Sequence, residues 1–400
     1  MLTWEFPPYG RGGLGKACHG LVSGLLEIGV QVHLLIPCEG ASGVYVLNRP
    51  GDADALSEHF EPFDFSERDF SLSSPAGIRQ KKGGEYYKGD YARDYYASGA
   101  DLLNRGSFGF SALTACISIR EFDLIHAHDW PTFPAALQLR GMTGKPLVCH
   151  IHSTEFDRAP GTEDEKVYTV EMAGLSVCER AIAVSNYTAS VIRDRCGIDP
   201  SKIRVVYNAC GKDNTAKRKA RIFKDPVVLF LGRVTKQKGP ETFLKVAKRA
   251  VERLTAIRFL MAGSGDLFCR IVHQSASMGL GTRFLPLGHL QTEELHRVLS
   301  AADILLAPSV SEPFGLSVLE AMSFGVVPIV SARAGVSEIV EHAEKVDPGD
   351  IDGMVSAVVG LAEDHGKRRA MARAGAQEAS ALSWNAAAEA VMDIYGELGC

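Results

Sequence analysis

Two short segments carry charges at spacings suited to anion and sugar chemistry. The first is Leu231-Gly232-Arg233-Val234-Thr235-Lys236-Gln237-Lys238-Gly239-Pro240. Arg233 and Lys238 bracket a turn between a strand pattern and a helix pattern, which brings two cations near one helix N-terminus. Fixed cations beside unsatisfied backbone N–H groups suit a pyrophosphate; the plainer account is two solvated loop cations. The second segment is Ser311-Glu312-Pro313-Phe314-Gly315-Leu316-Ser317-Val318-Leu319-Glu320-Ala321. Glu312 precedes a helix and Glu320 lies roughly one and a half turns inside it. Gly315 lets backbone approach a ligand closely, and the free N–H groups of the first turn can meet an anion. Glu312 is then placed for sugar hydroxyls and Glu320 for a ribose diol. A lone glutamate in a helix is more often a surface or capping carboxylate. A pair around a glycine turn, in company with the Arg233/Lys238 loop, favours binding.

Other strand ends carry further candidates. Gly10-Arg11-Gly12-Gly13-Leu14-Gly15 satisfies G-x-G-x-x-G, with Glu39 after the next strand, so a dinucleotide fold has to be weighed. Glu5-Phe6-Pro7-Pro8-Tyr9 separates strand from glycines, which spoils the tight strand–turn–helix geometry such a fold needs. In His126-Ala127-His128-Asp129-Trp130 a strand puts both histidines on one face. No clear third protein ligand accompanies them, and no metal site is expected. His150-Ile151-His152-Ser153-Thr154-Glu155-Phe156-Asp157-Arg158 ends the next strand; a histidine in such a place is often structural. Ser185-Asn186-Tyr187-Thr188 is a weaker candidate.

These residues must be positioned by alternating strands and helices. Strand patterns fall at 2–6, 30–36, 122–127, 146–151 and 180–184, and again at 227–231, 257–262, 284–287, 303–307 and 326–330. Helical patterns fall at 14–28, 107–120, 240–254 and 384–397, and residues 51–100 read as a hairpin or loop insertion. Apolar strands separated by amphipathic stretches predict parallel sheets covered on both faces. The 400 residues, 46% hydrophobic and 23% charged, suit two globular domains. A polar, basic stretch at 209–225 separates a domain at 1–208 from one at 226–380, with a last helical segment at 381–400. The net charge of −5 gives no pull toward nucleic acid or anionic membrane. Nine scattered cysteines without CxxC spacing read as reduced, mostly buried thiols of a cytoplasmic protein. No signal peptide is legible, and no apolar run reaches the ~20 residues that span a bilayer. Met1 to Phe6 reads as the end of a strand, so a start a few residues upstream is expected.

The C-terminal half is similar to glycosyltransferase family 4, marked by two glutamates with seven residues between them. Glu312 and Glu320 match that spacing, and the loop from Gly232 to Gly239, Ala262-Gly263-Ser264-Gly265-Asp266 and the run from Asp303 to Gly315 fit as well. The resemblance covers essentially the whole chain. It implies the GT-B architecture: α/β, with two doubly wound Rossmann-like domains facing a central cleft, and neither metal nor other cofactor. It implies that Arg233 and Lys238 bind the donor diphosphate, that Glu312 contacts the transferred sugar and that Glu320 binds the ribose. Phe314, Gly315 and Leu316 would line the donor. The Gly12-Gly13 loop resembles the glycine loop of glycogen and starch synthases, which faces the donor phosphate. Those synthases usually carry a lysine just before the glycines and an aspartate just after; Arg11 and Lys16 stand nearby here. The His126–Trp130 string matches glycogen synthases, where the aspartate equivalent to Asp129 borders donor and acceptor sugars. His152 would lie against the donor sugar near the reacting carbon. The last helix would pack back on the N-terminal domain through Trp384. The implied reaction is retaining hexosyl transfer, glucose from UDP- or ADP-glucose to a glycan, most simply an α-1,4-glucan as in glycogen synthases. Rivals are another family 4 acceptor such as a cell-surface polysaccharide or a small sugar, a sugar-nucleotide epimerase, and a sugar-nucleotide-binding protein without turnover.

Overall fold

The structure is a computed structural model that describes residues 1–7, 12–38, 41–49, 51–56, 121–210 and 223–400. Arg11, Glu39, the expected helix at 107–120, nearly all of the 51–100 insertion and most of the basic stretch at 209–225 lie outside the described residues.

In the N-terminal half, β1 (Val32–Cys38) and β2 (Ala41–Leu47) form an antiparallel hairpin. The strands β3 (Ile125–His128), β4 (Leu147–Ile151), β5 (Arg180–Ala183) and β6 (Ile203–Val205) pair in parallel in that order. Leu2 links the two sets by parallel bridges to Leu35 and Ala127. Two sequence expectations are corrected. β2 is an antiparallel addition to a half expected to be all parallel. The strand expected at 2–6 shrinks to its single bridging residue, because the Thr3 hydroxyl turns back onto the Glu5 carbonyl at 2.9 Å.

In the C-terminal half six strands run parallel: β7 (Val227–Leu231), β8 (Arg258–Ala262), β9 (Phe284–Gly288), β10 (Ile304–Ala307), β11 (Val327–Ser331) and β12 (Glu344–Val346). Their order, β9-β8-β7-β10-β11-β12, is the 3-2-1-4-5-6 of a doubly wound sheet. Successive crossovers leave β7 on opposite sides of the sheet, so a crevice opens between the C-terminal ends of β7 and β10. Phe243, on the buried stripe of helix Pro240–Arg253, sits among Phe230, Phe259 and Phe284 with ring centroids 5.4–5.9 Å away. Burying such a side chain is worth about 1.5–3 kcal/mol, and it fixes the helix whose N-terminus follows Lys238.

The last helix, Trp384–Gly396, lies on helix Gly13–Glu27. Close approach depends on small residues: a Cβ at Gly20 would stand 2.1 Å from the Trp384 ring, and one at Gly24 2.4 Å from the Trp384 carbonyl. Among the described residues no helix is long and apolar enough to cross a membrane. Seven described cysteines are free thiols. Cys18, Cys149, Cys178 and Cys196 are buried as expected, whereas Cys269 and Cys400 are exposed.

Candidate active site

The loops after β7 and β10 are pressed together. Gly239 adopts φ +68°, and a Cβ there would fall 2.4 Å from the Pro308 carbonyl oxygen, so only glycine suits both the turn and the contact. Val310 N–H donates to the Gln237 carbonyl at 2.9 Å. This contact delivers Lys238 to Glu312, with Nζ 2.6 Å from Oε2, and the Ser309 hydroxyl donates to the same oxygen at 3.0 Å. Glu312 is 8% exposed. Burial of that kind disfavours a carboxylate unless it is paired and hydrogen-bonded, and both conditions are met. The Arg233 guanidinium donates to Gln237 Oε1 at 3.2 Å and faces the Glu5 carboxylate.

Gly315, at φ +112°, turns the chain into helix Leu316–Ser323. Glu320, the fifth residue of that helix, takes the Lys16 ammonium on both oxygens, at 2.9 and 3.0 Å. Lys16 and Glu320 meet across the two halves, 304 residues apart in sequence, where spacing does not display the pair. Leu316 is half-buried at the start of the helix. The Phe314 ring is buried in the core, tilted against Tyr207 with centroids 6.4 Å apart, and the Phe314 carbonyl accepts the Val336 N–H at 2.7 Å. The same loop is pinned from the N-terminal half. Ser185 Oγ donates to the Pro313 carbonyl at 2.5 Å and Ser311 Oγ to Asp157 at 2.6 Å. The weaker candidate Ser185–Thr188 thus clamps the loop that carries Glu312.

Gly12 caps helix Gly13–Glu27, and among the described residues nothing lies within 4 Å of a Cβ placed on Gly13. The Gly15 N–H donates to Glu5 Oε2 at 3.3 Å, and a Cβ on Gly12 would lie 2.5 Å from that oxygen. A carboxylate therefore already sits at a helix end where negative charge is favoured. Burial raises the Glu5 pKa, opposed by the backbone N–H groups of Gly15 and Gly12 and by Arg233. Nothing in the residue pattern around Glu5 pointed to it.

At the ends of β3 and β4 four imidazoles form a two-by-two array. The parallel register sets His128 opposite His150. His126 Nε2 pairs with His150 Nδ1 at 3.2 Å, His128 Nδ1 with His152 Nε2 at 3.0 Å, and the two pairs stack with ring centroids 4.5 Å apart. The Tyr395 hydroxyl, from the last helix, closes the array 2.5 Å from His126 Nδ1. Burial, reinforced by the neighbouring imidazoles, holds His126, His128 and His150 well below the usual histidine range, and burial holds His152 down to about 3. All four rings are neutral. The expectation of no third ligand beside His126 and His128 is corrected. His126, His128 and His150, and likewise Cys18, His128 and His152, bring possible ligand atoms within 4.8 Å of one another. The missing members come from the adjacent strand and from helix Gly13–Glu27. Most of the ring nitrogens bond one another or Tyr395, whereas His128 Nε2 and His150 Nε2 are buried without a partner among the described residues.

Asp129 follows the array at φ +56°, a region that costs of order 1–3 kcal/mol for a non-glycine residue. Its Oδ1 accepts the His152 N–H at 2.7 Å, and its own N–H donates to the His150 carbonyl at 3.0 Å. Burial pushes its carboxyl up to about 7 against the pull of Arg158 and of the His152 N–H. Arg158 is itself buried between Glu155, at 3.1 Å, and Glu171, and donates to the Ser153 carbonyl at 2.6 Å. This anchors the turn that presents His152.

The site thus joins fixed cations, two carboxylates and helix N-termini at a doubly wound switch point, opposite a neutral polar surface. Known proteins place it. The model described as Glycosyltransferase Family 4 matches residues 11–210, half of the chain, and the model described as Glycosyl transferases group 1 matches residues 212–378. The chain is 26% identical to an uncharacterized glycosyltransferase of Methanocaldococcus jannaschii, over 99% of this chain and 97% of that one. It is 26% identical to the glycogen synthase of Mycobacterium tuberculosis, over 99% of this chain and 93% of that one. Among solved structures, sucrose-phosphate synthase from Thermosynechococcus elongatus superposes with TM-score 0.66 at 25% identity, covering 76% of this chain and 80% of that one. Anabaena HepE, solved with UDP and glucose, superposes with TM-score 0.60 at 18% identity, covering 71% of this chain and 80% of that one. The chain belongs to glycosyltransferase family 4, with the two Rossmann-like domains of the GT-B fold.

Proposed function

We propose that the chain transfers glucose from UDP- or ADP-glucose to an α-1,4-glucan, retaining the anomeric configuration and using no divalent metal. The observation that carries this reading is the Lys238–Glu312 pair, at 2.6 Å, with Arg233 beside it at the β7/β10 switch point. Similarity to a glycogen synthase supports the glucan acceptor, and a neighbour solved with UDP-glucose supports the donor class.

In this reading the donor diphosphate draws Lys238 from Glu312 and takes Arg233 as its second cation. Glu312, released, accepts hydrogen bonds from hydroxyls of the transferred sugar, and Glu320 binds the ribose. The bond between C1 and the diphosphate oxygen breaks as the acceptor hydroxyl attacks C1 from the same face. The acceptor proton passes to the departing phosphate oxygen, so no protein nucleophile is required. Arg233, Lys238 and the N–H groups near Gly12, Gly13 and Gly315 stabilise charge that grows on the leaving group, the electrostatic part of catalysis. His152, being neutral, acts by hydrogen bonding to the sugar, and Asp129 borders the donor and acceptor sugars.

The test is incubation with labelled UDP-glucose and ADP-glucose and a maltooligosaccharide, with product linkage read by NMR. Elongation with an α-linkage, unaffected by EDTA, is expected. A β-linked product, or activity lost to EDTA and restored by magnesium or manganese, would refute the mechanism. Transfer to other acceptors alone would move the substrate class within the family.

A further inference from the structure

Each family glutamate is held by one lysine, in two different settings. Lys238 and Glu312 come from the same half and are both largely shielded, with side chains 21% and 10% exposed. Lys16 and Glu320 come from opposite halves, 304 residues apart in sequence, and the Lys16 side chain is 44% exposed. One ammonium donates to both oxygens of Glu320, so a ribose diol must compete with Lys16 for that carboxylate. Lys16 N–H donates to the Gly12 carbonyl at 3.0 Å, so its stem rises within one turn of the glycine loop. A displaced ammonium on a flexible four-carbon stem, beside a loop facing a diphosphate, has a new anion within reach. Lys16 also stands just after the glycines, where the resemblance to glycogen synthases calls for an acidic residue.

We infer that Lys16 is a partner-switching residue of the donor site: it bridges the cleft to Glu320 when the site is empty and turns to the diphosphate when the ribose displaces it. The inference rests on the donor-site reading given above. It predicts opposite responses to ligands with and without phosphates. The ligands are UDP and ADP, with uridine and adenosine as their phosphate-free counterparts. Dissociation constants are measured by titration calorimetry and ligand-observed NMR for wild type, Lys16→Met, Lys16→Arg, Glu320→Gln and the Lys16→Met/Glu320→Gln double variant.

Lys16→Met should weaken the bound diphosphate about tenfold, the scale of one charge-assisted hydrogen bond. It should tighten the matching nucleoside by roughly two- to fivefold, because a half-exposed ion pair no longer competes for Glu320. Lys16→Arg should restore diphosphate binding. In the Glu320→Gln background the penalty of Lys16→Met on the diphosphate should grow, since Glu320 no longer holds the ammonium back. Equal weakening of nucleoside and diphosphate would make Lys16 a structural support and overturn the inference; tightening of both, or no change in either, would overturn it too. If wild type binds neither UDP nor ADP, the donor-site reading itself falls, an outcome distinct from a bound diphosphate that ignores Lys16.

Discussion

At the ends of β7 and β10 the protein presents Arg233, Lys238 and Glu312 as charges on loops, each with a hydrogen-bonding partner it can exchange. At the ends of β3 and β4 it presents four imidazoles that burial keeps neutral, locked to one another and to Tyr395. Both sets occupy the C-terminal ends of parallel strands, where open sheets place ligands. The loop charges can follow a developing negative charge. The buried array offers a polar surface that neither gains nor loses protons near neutrality, so it can sit against a sugar without adding charge to the reacting centre. The two sets should therefore answer to different perturbations, pH for one and charge removal for the other.

The largest effect should come from acid. A histidine with a depressed folded pKa stabilises the fold fully above its unfolded value, about 6.5, and loses that stability as pH falls toward the folded value. Each of the four contributes roughly 1.4 kcal/mol per pH unit below 6.5, so several kcal/mol should disappear between about pH 6.5 and 5. Denaturant melts across that range check it, and His150→Gln should reduce the slope by one proton. Stability that stayed level from pH 6.5 to 5 would show that the rings take up protons in the folded state as readily as in the unfolded one, and the contrast between the halves would collapse.

Removing one charge from the other half comes next. Lys238→Ala should lower turnover about 10²–10³-fold, roughly 3–4 kcal/mol, because its ammonium meets more charge in the transition state than in the ground state. Lys236, two residues away, is exposed, and Lys236→Ala should be close to neutral. Arg233→Lys should also lose activity, since an ammonium cannot reproduce the guanidinium fork. Steady-state kinetics at saturating donor decide the matter; near wild-type turnover for Lys238→Ala would remove the diphosphate from this crevice.

The two glutamates should separate by kinetic parameter. Glu312→Gln should lower kcat, because that carboxylate is assigned to the reacting sugar. Glu320→Gln should raise KM for the donor, by the roughly 1.5–3 kcal/mol of a charged hydrogen bond, with little change in kcat. Identical effects of the two on KM alone would cancel the division of roles.

The C-terminal half was the more legible in sequence because its chemistry is local. Arg233 and Lys238 share one loop, Glu312 and Glu320 share one strand-to-helix turn, and the crossover order brings the two segments together. The N-terminal half depends on contacts that sequence spacing does not display. His128 meets His152 only through the β3/β4 register, 24 residues on, and His126 meets Tyr395 across 269 residues. Glu5 gave no pattern at all, since a single glutamate before two prolines has no periodicity or partner to mark it. β2 carries the run Val44-Tyr45-Val46-Leu47, but that run is short, and the glycine and serine that open the strand hid it.

The smallest predicted effect bears on Asp129, the carboxylate that follows the imidazole array. Asp129 has its carboxyl pushed up to about 7 by burial, above the unfolded value of about 3.9. The sign is opposite to that of the histidines: the folded state holds a proton that the unfolded state has lost, so stability from this group is present at low pH and falls as pH rises toward 7. The slope is about 1.4 kcal/mol per pH unit, and it partly cancels the gain from the imidazoles over the same range. Asp129→Asn removes the titration but keeps a carbonyl oxygen for the His152 N–H, which Oδ1 now accepts at 2.7 Å, and it preserves the size and shape of the side chain. The variant should therefore gain stability more steeply than wild type between pH 5 and 6.5, by about one proton in the slope of unfolding free energy against pH. An identical slope would mean that Asp129 is ionised throughout. The neutral surface opposite the donor would then carry a fixed negative charge, and the electrostatic contrast between the two halves would have to be redrawn around it.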